Sequence, residues 1–240
     1  MIKLENTEVV GWEHAIRGMR NPMNSWAKGD SGYNCPYKLS EDSRHLPYCG
    51  DVLLPSSCKE NICVGPNDHK LMMSLAKGGP VHAKYRRMIT VYLDITAPFY
   101  WWKEFDTYKV GTVANSCSTM HKIHAKRFTK EDFSCEHMLP PSLALLEATI
   151  ETLNQCRDLY LGYGGFKHIY GEADPKEYWW QMIQLLPTSY NQKRTVMLNY
   201  EVLHNIYHSR KNHKLDEWHV FCDWIKNLPY SEVIIGECEE

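Results

Sequence analysis

GGPVHAKYRRMITVYLDITAPFYWWKEFDTYK, residues 78–109, carries the clearest structural signal in the chain. Ile89, Val91, Leu93 and Ile95 alternate with Met88, Thr90, Tyr92 and Asp94, the two-residue period of a strand with one buried face. Ala97-Pro98 stops the strand. Pro98, with fixed φ and no N–H, suits the first position of a helix over FYWWKEFDTYK. On the other side, Gly78-Gly79-Pro80 ends a short helix, DHKLMMSLAK, for which Asn67 or Asp68 is the expected cap.

Working outward, residues 2–12 alternate weakly through Ile2, Leu4, Val9 and Val10 and read as a further strand. Ser142–Tyr163 places Leu143, Leu146, Ile150, Leu153 and Cys156 on one helical stripe, stopped by Gly162 to Gly165. DPKEYWWQMIQLL follows as a helix with Asp174 as N-cap, Pro175 at its first position and Pro187 beyond its end. Two more helices are expected over Thr195–Ser209 and Leu215–Lys226. On the first, Leu198, Val202, Leu203, Ile206 and Tyr207 form an apolar arc, with Glu201, His204, Asn205 and His208 opposite. Asn199 falls inside that arc, where an amide needs hydrogen-bond partners. Residues 30–67 are rich in Gly, Pro, Ser, Asn and Cys without periodicity and read as a long loop or insertion. The expectation is one helix-rich α+β domain over 1–240 with few strands.

Composition restricts the function classes. At 43% hydrophobic and 23% charged residues the chain reads as an ordinary globular protein rather than a disordered one. No stretch approaches the roughly 18 apolar residues of a membrane span, and Glu5, Glu8 and Glu13 interrupt any signal-peptide pattern. The nine cysteines are scattered and odd in number, which points to reduced thiols in a cytoplasm. A net charge of -2 names no partner, but it hides an asymmetry. Residues 82–130 hold nine Lys/Arg against three acids, and 131–180 hold nine acids against three bases. The basic block fits two solvated faces of opposite sign, or an approach to an anion such as phosphate. It is too mixed with apolar sequence for a nucleic-acid arm.

Local motifs assign no chemistry by themselves. Cys35, Cys49, Cys58 and Cys63 lie with His45 in the loop region, but no CxxC pair occurs and no metal site is expected. His204 and His208 are four apart without the Glu of HExxH, which reads as a polar helix face; His121 and His124 read alike. GYGGF (162–166) follows a helix and opens none, so it is a helix stop rather than a phosphate cradle.

The order of segments is more telling. GGPVHAKYRRMITVYLDITAPFYWWKEFDTYKVGTVANSCSTMHKI resembles the central stretch of the flavin-dependent thymidylate synthases: a Gly-His segment, a strand ending in Ala-Pro, a helix, then a signature RHRxxSxNExSxR. LNYEVLHNIYHSRKNHKLDEW (198–218) resembles the family's later Asn-rich helix, and AIRGMRNPMNSW (15–26) its early Ala-Arg-x-Ser segment. The resemblance implies a small antiparallel sheet flanked by several helices, FAD as cofactor with NADPH and a folate as co-substrates, a pyrimidine nucleotide as substrate, and a homotetramer. It implies no nucleic-acid or membrane partner. Carried over residue by residue, His82, Asn199 and Asn205 contact the flavin. Arg20, Tyr108, Asn115 and Arg210 face the nucleotide, and Lys109, Ser118 and Arg210 stand at catalytic positions.

The departures are equally specific. The RHR triplet falls on Tyr108, Lys109 and Val110, the signature's first Ser on Val113, its Glu on Ser116 and its last Arg on Met120. The Glu of the family's Phe-Glu-His falls near Arg87, and the later Arg before Leu-Pro has no counterpart around Met182 and Ile183. A planar guanidinium fork binds phosphate or carbonyl in a way one ammonium cannot. Three readings remain: a divergent flavoenzyme acting on a pyrimidine nucleotide, a non-catalytic nucleotide binder on the same fold, and an interaction module whose aromatics are core.

Overall fold

The computed structural model describes residues 2–32, 62–163 and 173–236. Four strands, β1 (Lys3–Val10), β2 (Thr90–Pro98), β3 (Val113–Ser116) and β4 (Asn191–Asn199), form one sheet in the order β1-β2-β4-β3. The register of β2 on β4 is antiparallel: Tyr200 N donates to Ile89 O at 3.0 Å and Phe99 N to Tyr190 O at 3.1 Å, and both pairs sum to the same residue number. Ile89, Val91, Leu93 and Ile95 are buried as their alternation requires, while Tyr92 on the other face is 43% exposed. Each such aliphatic side chain contributes about 1.5–3 kcal/mol by leaving water.

Tertiary contacts group the chain into two compact units. The first comprises Met1–Glu5, Asp94–Thr107 and Ala114–Val196. Its helices are α3 (Phe99–Phe105), α4 (Thr119–Lys122), α5 (Pro140–Tyr160) and α6 (Pro175–Leu185). Helix α5 packs along α6, burying Leu146, Leu153, Cys156 and Met182 with Ile123, Phe128 and Phe133. The buried amide of Asn154 is satisfied at both ends, accepting from Phe128 N and donating to Phe128 O, each at 2.9 Å. In α3, Trp101, Trp102 and Phe105 are core, with ring centroids 5.0–5.3 Å apart, so the YWW run builds packing rather than a ring-binding face. Asp174 caps α6 as expected, its side chain accepting from Lys176 N at 2.8 Å.

The second unit comprises Asn6–Leu93, Tyr108–Val113 and Met197–Glu240. Its helices are α1 (Trp12–Arg20), α2 (Pro66–Lys77), α7 (Tyr200–Arg210), α8 (Asp216–Lys226) and the short α9 (Glu232–Ile235). A 3-10 segment, Ala83–Met88, runs between α1 and α7 and packs on both. Gly11 precedes α1 at φ +93°, where a Cβ would lie 2.1 Å from Met88 O, so only glycine permits this approach of backbone to backbone.

Four expectations change. The helix expected from Thr195 starts at Tyr200. Thr195–Asn199 belong to β4, where Val196 and Leu198 are buried at strand spacing. Leu198 satisfies both a two-residue and a four-residue period, which made the segment ambiguous. The α3 helix starts at Phe99, with Pro98 as its extended N-cap rather than its first residue, and ends at Phe105 rather than Lys109. Asp68 does not cap α2, whose N-cap is Gly65 with Pro66 at the first position; it sits buried in the first turn instead. Glu201 does not lie on a polar face. It is buried 3.6 Å from Arg86. The loop-region residues Cys35, His45, Cys49 and Cys58 lie outside the described residues, as does Gly165. Among the described residues no helix is long and apolar enough to cross a membrane.

Candidate functional site

Seven residues implied by the resemblance fall in the second unit: Arg20 on α1, His82 just before the 3-10 segment, Tyr108 and Lys109 on the loop after α3, and Asn199, Asn205 and Arg210 along α7 from its N-cap to its end. Asn199 is the N-cap of α7. Its Oδ1 accepts from Glu201 N at 3.1 Å and Val202 N at 3.0 Å, satisfying two of the N–H groups a helix start leaves open. The carbonyl oxygen of the amide is thereby used, and the donor end is not. Among the described residues no acceptor takes Asn199 Nδ2. Gly111 lies against this nitrogen at φ +81°. A Cβ at Gly111 would stand 2.9 Å from Asn199 Nδ2 and 3.1 Å from Val202 Cγ2. The glycine lets the loop backbone close on this amide and on Val202, an approach that a Cβ would block.

At the other end of α7, Arg210 Nε donates to the Tyr108 hydroxyl at 2.9 Å. Its guanidinium carbon lies 4.8 Å from the Trp218 ring centre and 5.6 Å from that of Tyr108. Cation–π contacts of this kind hold the guanidinium plane without neutralising it. Arg210 and Tyr108 are half-buried, and Lys109 beside them is exposed. His82 is exposed at the start of the 3-10 segment, its ring close to Gly78; Asn205 is exposed on α7.

Arg20 departs from its expected role. The guanidinium is buried, 5% exposed, and its nitrogens bond within the fold: Nε to Asp68 Oδ1 at 2.6 Å, one terminal nitrogen to Ser25 O at 3.2 Å and the other to Lys28 O at 3.0 Å. Asp68 also accepts from Ser31 Oγ at 2.6 Å and from the backbone N–H groups of Asp30 and Ser31. Burial alone would raise the Asp68 carboxyl, but bonds from Ser31, Arg20 and Asp30 outweigh it and hold the group below its ordinary value. Arg20 therefore ties α1 to α2 instead of facing a ligand.

In the first unit, Asn115 is exposed on β3, and Ser118 caps α4 by accepting from His121 N at 3.0 Å. Beyond Ser118 lies an open cavity of about 370 Å³ lined by Met120, His121, His124, Tyr160, Lys176 and Trp179. Trp179 Nε1 donates to Met120 O at 3.0 Å, and the His124 and Tyr160 rings are 4.8 Å apart. Among the described residues no group of three or more His, Cys, Asp or Glu side chains is placed to hold a metal ion.

No family model and no curated protein matches the chain. Solved structures do. Thymidylate synthase X from Helicobacter pylori, solved with FAD and dUMP, is similar with a TM-score of 0.57 at 12% identity, over 99% of this chain and 98% of that one. A second structure of the same organism's enzyme with FAD and dUMP gives 0.56 at 12% identity over 98% of each chain. A UMP/dUMP methylase, PolB from Streptomyces cacaoi bound with 5-Br dUMP, gives 0.52 at 10% identity over 97% and 94%. The chain has a thymidylate synthase X-like fold.

Within that thymidylate synthase X-like fold, Gly111 and Trp218 are the residues the sequence did not single out. Gly111 had a weak signal, a lone glycine in KVGTV between a helix and a strand. Trp218 had none, since its place against Arg210 depends on how α8 packs on α7.

Proposed function

We propose that this chain binds a flavin and a pyrimidine nucleotide, as a divergent relative in chemistry of the flavin-dependent thymidylate synthases. The observation that carries the reading is the donor end of Asn199, which no acceptor among the described residues takes, in a fold shared with proteins solved with FAD and dUMP. An amide held rigidly by its own cap bonds, with its N–H groups available, suits a flavin ring carbonyl. His82 and Asn205 would complete the flavin contacts. A bound flavin supplies electron transfer. The chain's own residues supply positioning: Arg210, levelled by Tyr108 and Trp218, offers a fixed fork to a pyrimidine carbonyl, and Lys109 offers an exposed cation to phosphate. Asn115 and Ser118 are proposed as further nucleotide contacts, NADPH and a folate as co-substrates, and a homotetramer in the cytoplasm as the working form.

A second reading, a non-catalytic nucleotide binder, is favoured by one specific feature. Where the family has Arg-His-Arg, this chain has Tyr108, Lys109 and Val110, and Val110 is 91% exposed. Adding the purified protein to FAD and following flavin fluorescence tests the shared premise. Quenching that dUMP then alters supports the enzyme reading, and dUMP binding without any flavin response supports the binder. No response to either ligand removes both.

A further inference from the structure

Helix α7 carries a feature that the flavin reading leaves unused. His204 and His208 stand one turn apart, with ring centroids 4.4 Å from each other. Two imidazoles at this spacing on one helix face are the pair that a single metal ion bridges in helical zinc motifs. The His204 ring is fixed by a bond between its Nδ1 and Ile234 O at 2.6 Å. A carbonyl only accepts, so Nδ1 carries the hydrogen and the lone pair is on Nε2. A backbone carbonyl on the far nitrogen is the arrangement that orients metal-ligating histidines and raises their basicity. The carbonyl comes from α9, which packs on α7, so the ring is held by tertiary structure and not by the helix alone.

We propose that His204 and His208 form a two-imidazole chelate for a divalent late transition metal ion of the nickel, copper or zinc class. His208 is exposed and His204 half-buried, so an ion reaches the pair from solvent. Imidazole nitrogen suits these ions better than calcium or magnesium, which prefer oxygen. The intervening sequence is Asn205-Ile206-Tyr207, without the glutamate that serves as base in hydrolytic motifs, so the site binds rather than hydrolyses. With two protein ligands and water completing the sphere, the ion is held exchangeably.

Nickel chloride titrated into the intact protein tests this, read by calorimetry and by thermal melting. An ion bridging two side chains of folded α7 raises the melting temperature, because the unfolded chain does not hold that geometry. Wild type should show a dose-dependent rise. His208→Gln, at an exposed position, should weaken nickel binding by about tenfold or more, no less than the loss of an outer-shell partner costs. His204→Gln should do the same, and His219→Gln, an exposed histidine on α8, should not. Nickel binding to His208→Gln at wild-type strength, or loss of binding in His219→Gln, would overturn the assignment. Flavin retention in the same variants reports on the flavin reading separately, so the two ideas fail independently.

Discussion

Replacing Asn199 by aspartate and, separately, by alanine separates its two roles. Oδ1 accepts from Glu201 N and Val202 N, while no acceptor among the described residues takes the donor end beside Gly111. Alanine removes both functions. Losing the cap costs about 1 kcal/mol, within a range of roughly 0.5–2. For a domain of this size that lowers the melting temperature by about 2–4 °C. Aspartate keeps an acceptor at the cap and places a negative charge at the positive end of α7, worth about 0.3–1 kcal/mol of stabilisation. Its melting temperature should equal or slightly exceed that of wild type. Toward a flavin carbonyl, however, aspartate offers no donor. Leaving a desolvated acceptor unpaired costs about 1–3 kcal/mol, a fall in affinity of roughly 5- to 150-fold at about 1.4 kcal/mol per tenfold. Thermal melting and quenching of FAD fluorescence on the same preparations read the two effects. A thermally sound Asn199→Asp that binds FAD as tightly as wild type refutes the placement of this amide at the flavin. An Asn199→Ala protein that melts with wild type refutes the capping argument.

The remaining tests are independent. Gly111→Ala puts a Cβ at φ +81° and 2.9 Å from Asn199 Nδ2; it should lose about 1–2 kcal/mol of stability by denaturant titration and weaken FAD binding, and unchanged values for both would show that the loop yields freely. Tyr108→Phe removes the hydroxyl that accepts from Arg210 Nε but keeps the ring, so it should lower dUMP affinity while leaving stability within about 1 kcal/mol and FAD binding intact. Asp68→Asn leaves the buried Arg20 without its counter-charge and should cost about 3–5 kcal/mol at neutral pH. Because the folded pKa of Asp68 lies below its ordinary value of 3.8, its contribution is present above that value and lost as pH falls through the folded pKa. Stability measured across that acidic window should therefore vary less steeply in the variant than in wild type. Burial pushes the Cys222 thiol up to about 11, so it should resist alkylation near neutral pH in native protein, while the exposed Cys117 reacts.

Elements whose signals are local were legible in the sequence. The β2 alternation, the Asp174 cap and the α5 stripe depend on neighbours within a few residues, and each is present in the structure. The ordered resemblance extended this to the sheet-and-helix fold. Where a residue satisfied two periods, as Leu198 did, local signals could not choose. The hydrogen bonds of β4 between its two neighbouring strands chose strand. What the polar residues do was set by packing between distant segments. Arg20 and Asp68 are 48 positions apart, and nothing in either neighbourhood foretold that they would meet in the core and satisfy each other. The buried pairing of Arg86 with Glu201, the approach of Gly111 to Asn199 and the stacking of Arg210 on Trp218 arise the same way. Burial of a charge or an amide is set by which distant segment covers it, and that information is spread over the whole packed chain rather than written beside the residue.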